Sequence, residues 1–124
     1  MLVLDSTAII EILNGSQIGA KIKEQLSEDT VTTALSVYEV SRGMKEQQKE
    51  QISNFFEQIP ICAYTKSTAE KSAQIEKELR NAGKMINQID ILIAGICQEL
   101  DASIVTLDKD FLKVSKLRVR MMEK

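Results

Sequence analysis

The feature that most constrains the fold is the run 87–100, the most apolar stretch of the chain, which contains one carboxylate, Asp90, near its start. Its apolar residues recur at helical spacing around nearly the whole circumference, a pattern typical of a helix buried on most sides. Asn87 is suited to cap this helix, and a carboxylate at Asp90 would then complement the helix dipole. A capping role therefore explains Asp90 when this residue is considered alone. Whether that explanation is enough depends on where the other acids of the chain lie.

Short apolar segments alternate with amphipathic ones along the whole chain, which predicts an α/β protein with helices on both faces of a parallel sheet. We expect a three-layer α/β/α sandwich whose central, mainly parallel sheet has about five strands. The predicted strands are 2–4, 30–35, 61–64, 102–107 and 117–121, the last of them at an edge. The predicted helices are about 8–13, 17–26, from Ser36 onward, from Lys49 or Glu50 to Pro60, 67–82 and 87–100, with a short helical turn at 108–114.

Length and composition indicate one ordinary globular domain covering residues 1–124. No apolar run is long enough to span a bilayer and no signal peptide is evident, so we expect a cytoplasmic protein. The chain contains no histidine, which excludes a Ser-His-Asp triad and a histidine proton shuttle. Cys62 and Cys97 are far apart in apolar contexts and are expected to be reduced core residues. Any catalysis must therefore use carboxylates or a metal.

Four isolated acids are predicted to meet at one edge of this sheet. Asp5 and Asp108 follow strands one and four, while Glu39 and Asp90 each lie one turn into a helix. Ligands of open parallel sheets bind beyond the carboxyl ends of the strands, and all four acids project towards that edge. Capping offers a structural alternative at each position: Asp5 before the first helix, residues 36–39 as a capping box, and Asp108 before the next turn.

Four neighbouring carboxylates would repel one another, and some would bind protons unless a cation neutralised them. With no imidazole or useful thiolate nearby, Mg²⁺ or Mn²⁺ is the expected occupant, since both prefer oxygen ligands. Such a site suits phosphodiester hydrolysis, because the metal activates water and stabilises charge developing on the phosphate. The net charge of −2 argues weakly against nucleic-acid binding, but six basic and two acidic residues lie between Lys109 and Lys124. That basic segment is suited to phosphates, or is simply a solvated surface.

The acidic segments together resemble the PIN domain, and more narrowly the VapC-type ribonuclease toxins of prokaryotic toxin–antitoxin pairs. The matching segments are LVLDST at residues 2–7, SVYEV at 36–40, DILIA at 90–94 and IVTLDKDF at 104–111. They occur in the family's order and span essentially the whole chain. The resemblance implies a metal-dependent endoribonuclease that is usually a homodimer and is inhibited by a small cognate antitoxin.

The resemblance also implies a role for particular residues. Asp5, Glu39, Asp90 and Asp108 would be both catalytic residues and Mg²⁺ or Mn²⁺ ligands, with Asp108 at the family's more variable acidic position and Asp110 as the alternative. Ser6, Thr106 and Asp110 would support these ligands by hydrogen bonding. Phosphate contacts of the RNA are expected from five basic residues for which an ordinary solvated surface is the alternative: Arg42, Lys45, Lys49, Arg80 and Lys84.

Other interpretations share this fold class. A catalytically silent PIN-like module that binds RNA or protein is the main alternative to the nuclease. A phosphoryl-accepting receiver domain needs adjacent acids after strand one, whereas Asp5 is followed by Ser6 and Thr7. A nucleotide-binding fold is disfavoured because neither a GxGxxG nor a GxxxxGK[ST] motif occurs.

Overall fold

A computed structural model describes residues 1–27 and 29–124, in which five parallel strands form one sheet in the order β3-β2-β1-β4-β5. Each hydrogen-bonded strand pair is parallel, which confirms the predicted α/β class and the sheet of about five strands. The strands are β1 (Leu2–Leu4), β2 (Thr30–Thr33), β3 (Ile61–Cys62), β4 (Ser103–Thr106) and β5 (Arg118–Met121). The helices are α1 (Ser6–Asn14), α2 (Gln17–Gln25), α3 (Ala34–Arg42), α4 (Lys49–Glu57), α5 (Lys66–Ala82) and α6 (Gln88–Glu99), with 3₁₀ turns at Glu46–Gln48 and Lys109–Lys113.

The central strand β1 separates two hydrophobic cores. Leu2 and Leu4 point to one face, where they pack in a cluster with residues of α1 to α4 such as Ile9. Val3 points to the other face and belongs to a cluster containing Ile93 of α6. Because side chains alternate along a strand, a continuous apolar run is buried only when both faces of the sheet are covered. The three-layer arrangement follows from this requirement.

The junction between β2 and α3 differs from the sequence prediction. The predicted strand extended to residue 35 and the helix began at Ser36, but β2 ends at Thr33 and α3 begins at Ala34. The cause is the Thr33 hydroxyl, which accepts a hydrogen bond from the backbone N–H of Ser36 at 3.0 Å and so caps the helix earlier. The alternative of a capping box from Ser36 to Glu39 is therefore wrong. Glu39 lies in the second turn of α3 and is free for another role.

The remaining elements largely follow the prediction. The buried helix α6 has Asn87 as its N-cap, and β5 lies at an edge of the sheet. Helix α5 starts at Lys66, slightly earlier than expected, because Thr65 is its N-cap, and β3 is shorter than predicted. Within the described residues, none of the helices combines the length and apolar character that crossing a membrane requires.

Candidate active site

Asp5 occupies the turn between β1 and α1 and is almost completely buried, with 2% of its surface exposed. Its Oδ1 accepts hydrogen bonds from the Thr7 hydroxyl at 2.7 Å and the Ala8 N–H at 3.0 Å. Its Oδ2 accepts one from the Thr106 hydroxyl at 2.5 Å. Burial raises the pKa of Asp5 to about 6, although these three hydrogen bonds oppose the shift. Asp5 thus caps α1 and also sits at the carboxyl edge of the sheet.

Glu39 projects from α3 towards the start of α1. Its Oε1 accepts a hydrogen bond from the Ser6 hydroxyl at 3.0 Å, across 33 positions of sequence. Its Oε2 lies 3.6 Å from Nη2 of Arg42, one turn further along the same helix. Each carboxylate oxygen of Glu39 therefore has one partner: Ser6 of α1 contacts Oε1, and Arg42 of α3 contacts Oε2.

Asp90, Asp108 and Asp110 form a compact acidic cluster. One carboxylate oxygen from each residue lies within 4.8 Å of the others. Asp90 lies in the first turn of α6, whose N-cap Asn87 accepts a hydrogen bond from the Ile89 N–H at 3.0 Å. Asp108 follows β4 and accepts a hydrogen bond from the Asp110 N–H at 2.9 Å, which caps the 3₁₀ turn.

Electrostatics link the acids of this cluster to Asp5 and Glu39. The pKa of Asp90 is raised to about 7, first by burial and then by the negative charges of Asp108, Glu39 and Asp5. A hydrogen bond with Asp108 further favours the protonated form of Asp90. The charge of Asp108 also raises the pKa of Asp5. The other three acids named from the sequence therefore lie close enough to Asp90 to oppose its ionisation.

The donor set fits a hard divalent cation. The gathered groups are carboxylates, which are preferred ligands of Mg²⁺ and Mn²⁺, and their mutual repulsion is the energy that a bound cation would relieve. Asp90 and Asp108 face each other within the acidic cluster, with Asp5 and Glu39 near enough to raise the pKa of Asp90. Two nearby cationic groups, those of Arg42 and Lys113, each pair with a single acid, Glu39 and Asp110 respectively.

Of the three predicted supporting residues, two hold ligand candidates. Ser6 binds Glu39, and Thr106 binds Asp5 while its oxygen accepts the Asp108 N–H at 2.9 Å. Asp110 is placed differently from its expected supporting role, because its carboxylate is itself part of the acidic cluster. The choice of fourth acid between Asp108 and Asp110 therefore stays open.

Thr7 was missed from the sequence, although its hydroxyl donates to Asp5 and accepts the Leu107 N–H at 3.0 Å. It thereby joins the turn after β1 to the turn after β4. The only signal was its place directly after Asp5-Ser6, a position that also suits the start of any helix.

The five basic residues predicted to contact phosphates are distributed unevenly. Arg42 reaches Glu39, and Lys45 lines a cavity of about 250 Å³ that Glu39 also lines. Lys84 and Lys113 line a cavity of about 150 Å³ on the α5 side. Arg80 instead pairs with Glu76 at 2.7 Å, and Lys49 is exposed at the start of α4. Among the described residues, only Arg42 of these five forms an ion pair with an acid of the site.

In a comparison with known protein families, a family model of the PIN domain matches residues 2–117, a range that includes the acids of the site. The chain belongs to the PIN-domain family. The membership predicted from the four acidic segments is confirmed. No curated protein matches this PIN domain significantly by sequence.

Solved structures share its fold across nearly their whole length. VapBC2 from Rickettsia felis, solved with a DNA fragment from its promoter, has a TM-score of 0.83 at 18% identity, covering 98% of each chain. VapBC-1 from nontypeable Haemophilus influenzae has a TM-score of 0.80 at 22% identity, covering 97% of this chain and 96% of that one. VapC20 from Mycobacterium tuberculosis, described as a sarcin–ricin loop cleaving toxin, has a TM-score of 0.72 at 10% identity, covering 95% and 99%. At these identities the likeness concerns the fold, and it matches the predicted VapC-type architecture.

Proposed function

We propose that this PIN domain is a metal-dependent endoribonuclease and the toxin of a VapBC-type toxin–antitoxin pair. The observation that carries the proposal is the convergence of Asp5, Glu39, Asp90 and Asp108 at one edge of the sheet, with the pKa of Asp90 raised to about 7. A cluster that destabilises its own charges binds either protons or a compensating cation, and at neutral pH a divalent cation would neutralise these acids. The predicted partners are an RNA substrate, a small antitoxin and a second copy of the chain as homodimer.

Asp5, Glu39, Asp90 and Asp108 would hold Mg²⁺ or Mn²⁺, with Asp110 as a further or alternative ligand. When bound, the ion would supply Lewis acidity that activates water and stabilises charge on the scissile phosphate.

The chain's own contribution is positioning. Thr7, Thr106 and the Ala8 N–H fix both oxygens of Asp5 at distances of 2.5 to 3.0 Å. Ser6 fixes Oε1 of Glu39. Ligands that are held before the substrate arrives need little reorganisation during the reaction, which is how preorganised polar sites lower barriers.

RNA is the proposed substrate because a hard-metal carboxylate site suits phosphodiesters and because basic residues flank it. Arg42 and Lys45 lie on the Glu39 side, and Lys113 pairs with Asp110. Lys84 lines a separate cavity, against α5, and would contact RNA only if the strand extended that far. Lys49 and Arg80 are exposed and would serve only outside the immediate site. The similar structure VapC20 is described as a sarcin–ricin loop cleaving toxin, and other similar structures are VapBC complexes, which supports the assignments of a nuclease activity and an antitoxin partner.

A catalytically silent PIN module that binds RNA or protein is the second candidate. It is favoured by the capping hydrogen bonds of Asp5 and Asp108, which give both acids a structural role without any metal. Capping does not account for Glu39, whose carboxylate accepts from Ser6 and not from the backbone of its own helix. The two candidates differ in whether divalent ions support cleavage.

The test is single-turnover cleavage of a total RNA or tRNA pool with Mg²⁺ or Mn²⁺ by wild type and Asp90→Asn. Asp101→Asn is a matched control, because Asp101 is an exposed acid whose backbone φ of 52° suits asparagine equally well. We expect wild type and Asp101→Asn to cleave and folded Asp90→Asn to lose at least roughly a hundredfold in rate. Absence of cleavage by wild type with every divalent ion would favour the silent module.

A further inference from the structure

Tyr38 is a large side chain that the fold leaves 55% exposed beside the acidic site. It precedes Glu39 on α3, and its neighbours Ser36 and Val40 are buried on the inner side of that helix. Burial in the described fold therefore does not explain the aromatic ring. Its position in the sequence motif around Glu39 had no assigned role.

Arg42 joins this ring to the acidic site. Its guanidinium carbon lies 5.3 Å from the centroid of the Tyr38 ring, within the range of a cation–π contact. The same guanidinium group lies 3.6 Å from Oε2 of Glu39. These two contacts of one rigid group place the Tyr38 ring next to Glu39, at the edge of the acidic site.

We infer that Tyr38 and Arg42 form a stacking platform for one base of a single-stranded RNA bound across the acidic site. Bases of single-stranded RNA stack on aromatic rings and guanidinium planes, largely independently of base identity. Arg42 also brings positive charge to a rim where the carboxylates would otherwise repel phosphates. This inference rests on the proposed function and assigns Tyr38 as a substrate-binding residue for it.

The exposed stripe of α3 that carries Tyr38 favours RNA over a protein partner. The exposed positions spaced four residues apart on this face of α3 are Ala34, Tyr38 and Arg42, so the stripe has a single large apolar member. Protein interfaces are built around a contiguous apolar core, which this stripe lacks. A lone ring beside a cation is instead the composition of a base-stacking site.

The experiment measures binding of a short single-stranded oligoribonucleotide carrying 2-aminopurine, whose fluorescence is quenched when the base stacks. Ca²⁺ is used in place of Mg²⁺, because it also binds carboxylate oxygens and would neutralise the acids, so that RNA binding is measured separately from cleavage. The variants are Tyr38→Phe, which keeps the aromatic ring, and Tyr38→Leu, which keeps an apolar side chain but removes the aromatic ring. Ile61→Ala is the control, since Ile61 is an exposed apolar residue (41%) on the edge strand β3.

We expect Tyr38→Leu to weaken binding roughly tenfold and to lose the quenching, while Tyr38→Phe and Ile61→Ala stay within about twofold of wild type. Equal affinity and quenching in wild type and Tyr38→Leu would overturn the inference. So would a Tyr38→Leu protein that binds RNA normally but no longer self-associates in sedimentation velocity, because the ring would then be an interface between copies.

The same samples separate this inference from the proposed function. If wild type binds the RNA and quenches its 2-aminopurine fluorescence, if Tyr38→Leu loses both effects, and if no divalent ion supports cleavage, then the nuclease assignment fails and the stacking platform stands. If wild type cleaves RNA, and Tyr38→Leu has the same RNA affinity and the same 2-aminopurine quenching as wild type, the stacking platform is ruled out and the nuclease assignment stands. A wild-type protein that neither binds nor cleaves RNA contradicts both.

Discussion

Thr106 donates its hydroxyl hydrogen to Oδ2 of Asp5 at 2.5 Å, although the two residues are 101 positions apart in the sequence. Both are buried, and they lie at the carboxyl ends of the adjacent parallel strands β4 and β1. The hydrogen bond therefore links the strand pairing of the fold to the orientation of one acid of the candidate active site.

Thr106→Val tests this link. Valine keeps the shape but removes the hydroxyl, so Asp5 loses a donor and the Asp108 N–H loses its acceptor. We expect a loss of about 1–3 kcal/mol in the free energy of unfolding at neutral pH, together with weaker Mn²⁺ binding. Thr32→Val is the control, since Thr32 is equally buried but donates to the Leu4 carbonyl. Denaturant unfolding and Mn²⁺ titration measure both effects, and equal Mn²⁺ affinity in the two variants would refute a supporting role for Thr106.

The metal-free protein should lose stability as the pH rises. Burial raises the pKa of Asp5 to about 6 and that of Asp90 to about 7, above the ordinary value of 3.8. The folded state therefore binds more protons than the unfolded chain at intermediate pH, so the stabilisation is complete below the ordinary pKa and is lost as pH rises through about 6 to 7. We expect the melting temperature in EDTA to be lower at about pH 8 than at about pH 5. Asp90→Asn should flatten this profile, and an unchanged slope in that variant would count against the shifted pKa of Asp90.

Asp108 and Asp110 should differ in their effect on metal binding. The charge of Asp108 raises the pKa of both Asp5 and Asp90, whereas Asp110 is paired with Lys113 at 3.2 Å. We expect Asp108→Asn to weaken Mn²⁺ binding more than Asp110→Asn, whose loss should stay within the roughly tenfold to hundredfold range of residues that support ligands. Isothermal titration calorimetry of the two variants decides the order, and the reverse order would make Asp110 the fourth acid.

The packing of α5 on α6 depends on the absence of a side chain at Gly95. A Cβ atom there would come within 2.1 Å of Oγ of Ser72, which also receives a hydrogen bond from the Tyr64 hydroxyl. We expect Gly95→Ala to lower the free energy of unfolding by roughly 1–3 kcal/mol, because the Ser72 hydroxyl must turn away from Tyr64 and the Thr68 carbonyl oxygen, 3.1 Å from the added Cβ, must shift. Gly43→Ala is the control, since a Cβ at Gly43 would meet its nearest atoms at 3.9 Å. Equal stability of the two variants in urea would show that α5 and α6 adjust without strain.

Much of the fold was predictable because its signals are local. The apolar run of β1, the Asn87 cap and the all-round apolar pattern of α6 depend on neighbouring residues and were located correctly. The start of α3 was misplaced because residues 30–36 are rich in β-branched and hydroxyl residues, several of which are suited to cap a helix. Only the fold selects Thr33, whose hydroxyl accepts the Ser36 N–H.

The site was predictable to the level of which acids converge, since topology alone brings the ends of parallel strands together. The hydrogen bonds and side-chain directions within the site could not be predicted from the sequence. Thr7 joins Asp5 to the backbone of Leu107, a relationship between residues 100 positions apart that no local pattern encodes. The place of Asp110 within the acidic cluster depends on the 3₁₀ turn that Asp108 caps, and the sequence alone does not fix the direction of that side chain.

The proposed function requires that these acids hold a divalent cation, and Mn²⁺ binding followed by electron paramagnetic resonance measures this property. Wild type, Asp90→Asn and Asp101→Asn are titrated at neutral pH. We expect saturable binding to wild type and Asp101→Asn and its loss in folded Asp90→Asn, because the substitution removes the carboxylate whose ionisation Asp5, Glu39 and Asp108 all oppose. Mn²⁺ that stays free in solution with all three proteins, or binds Asp90→Asn as tightly as wild type, would contradict it.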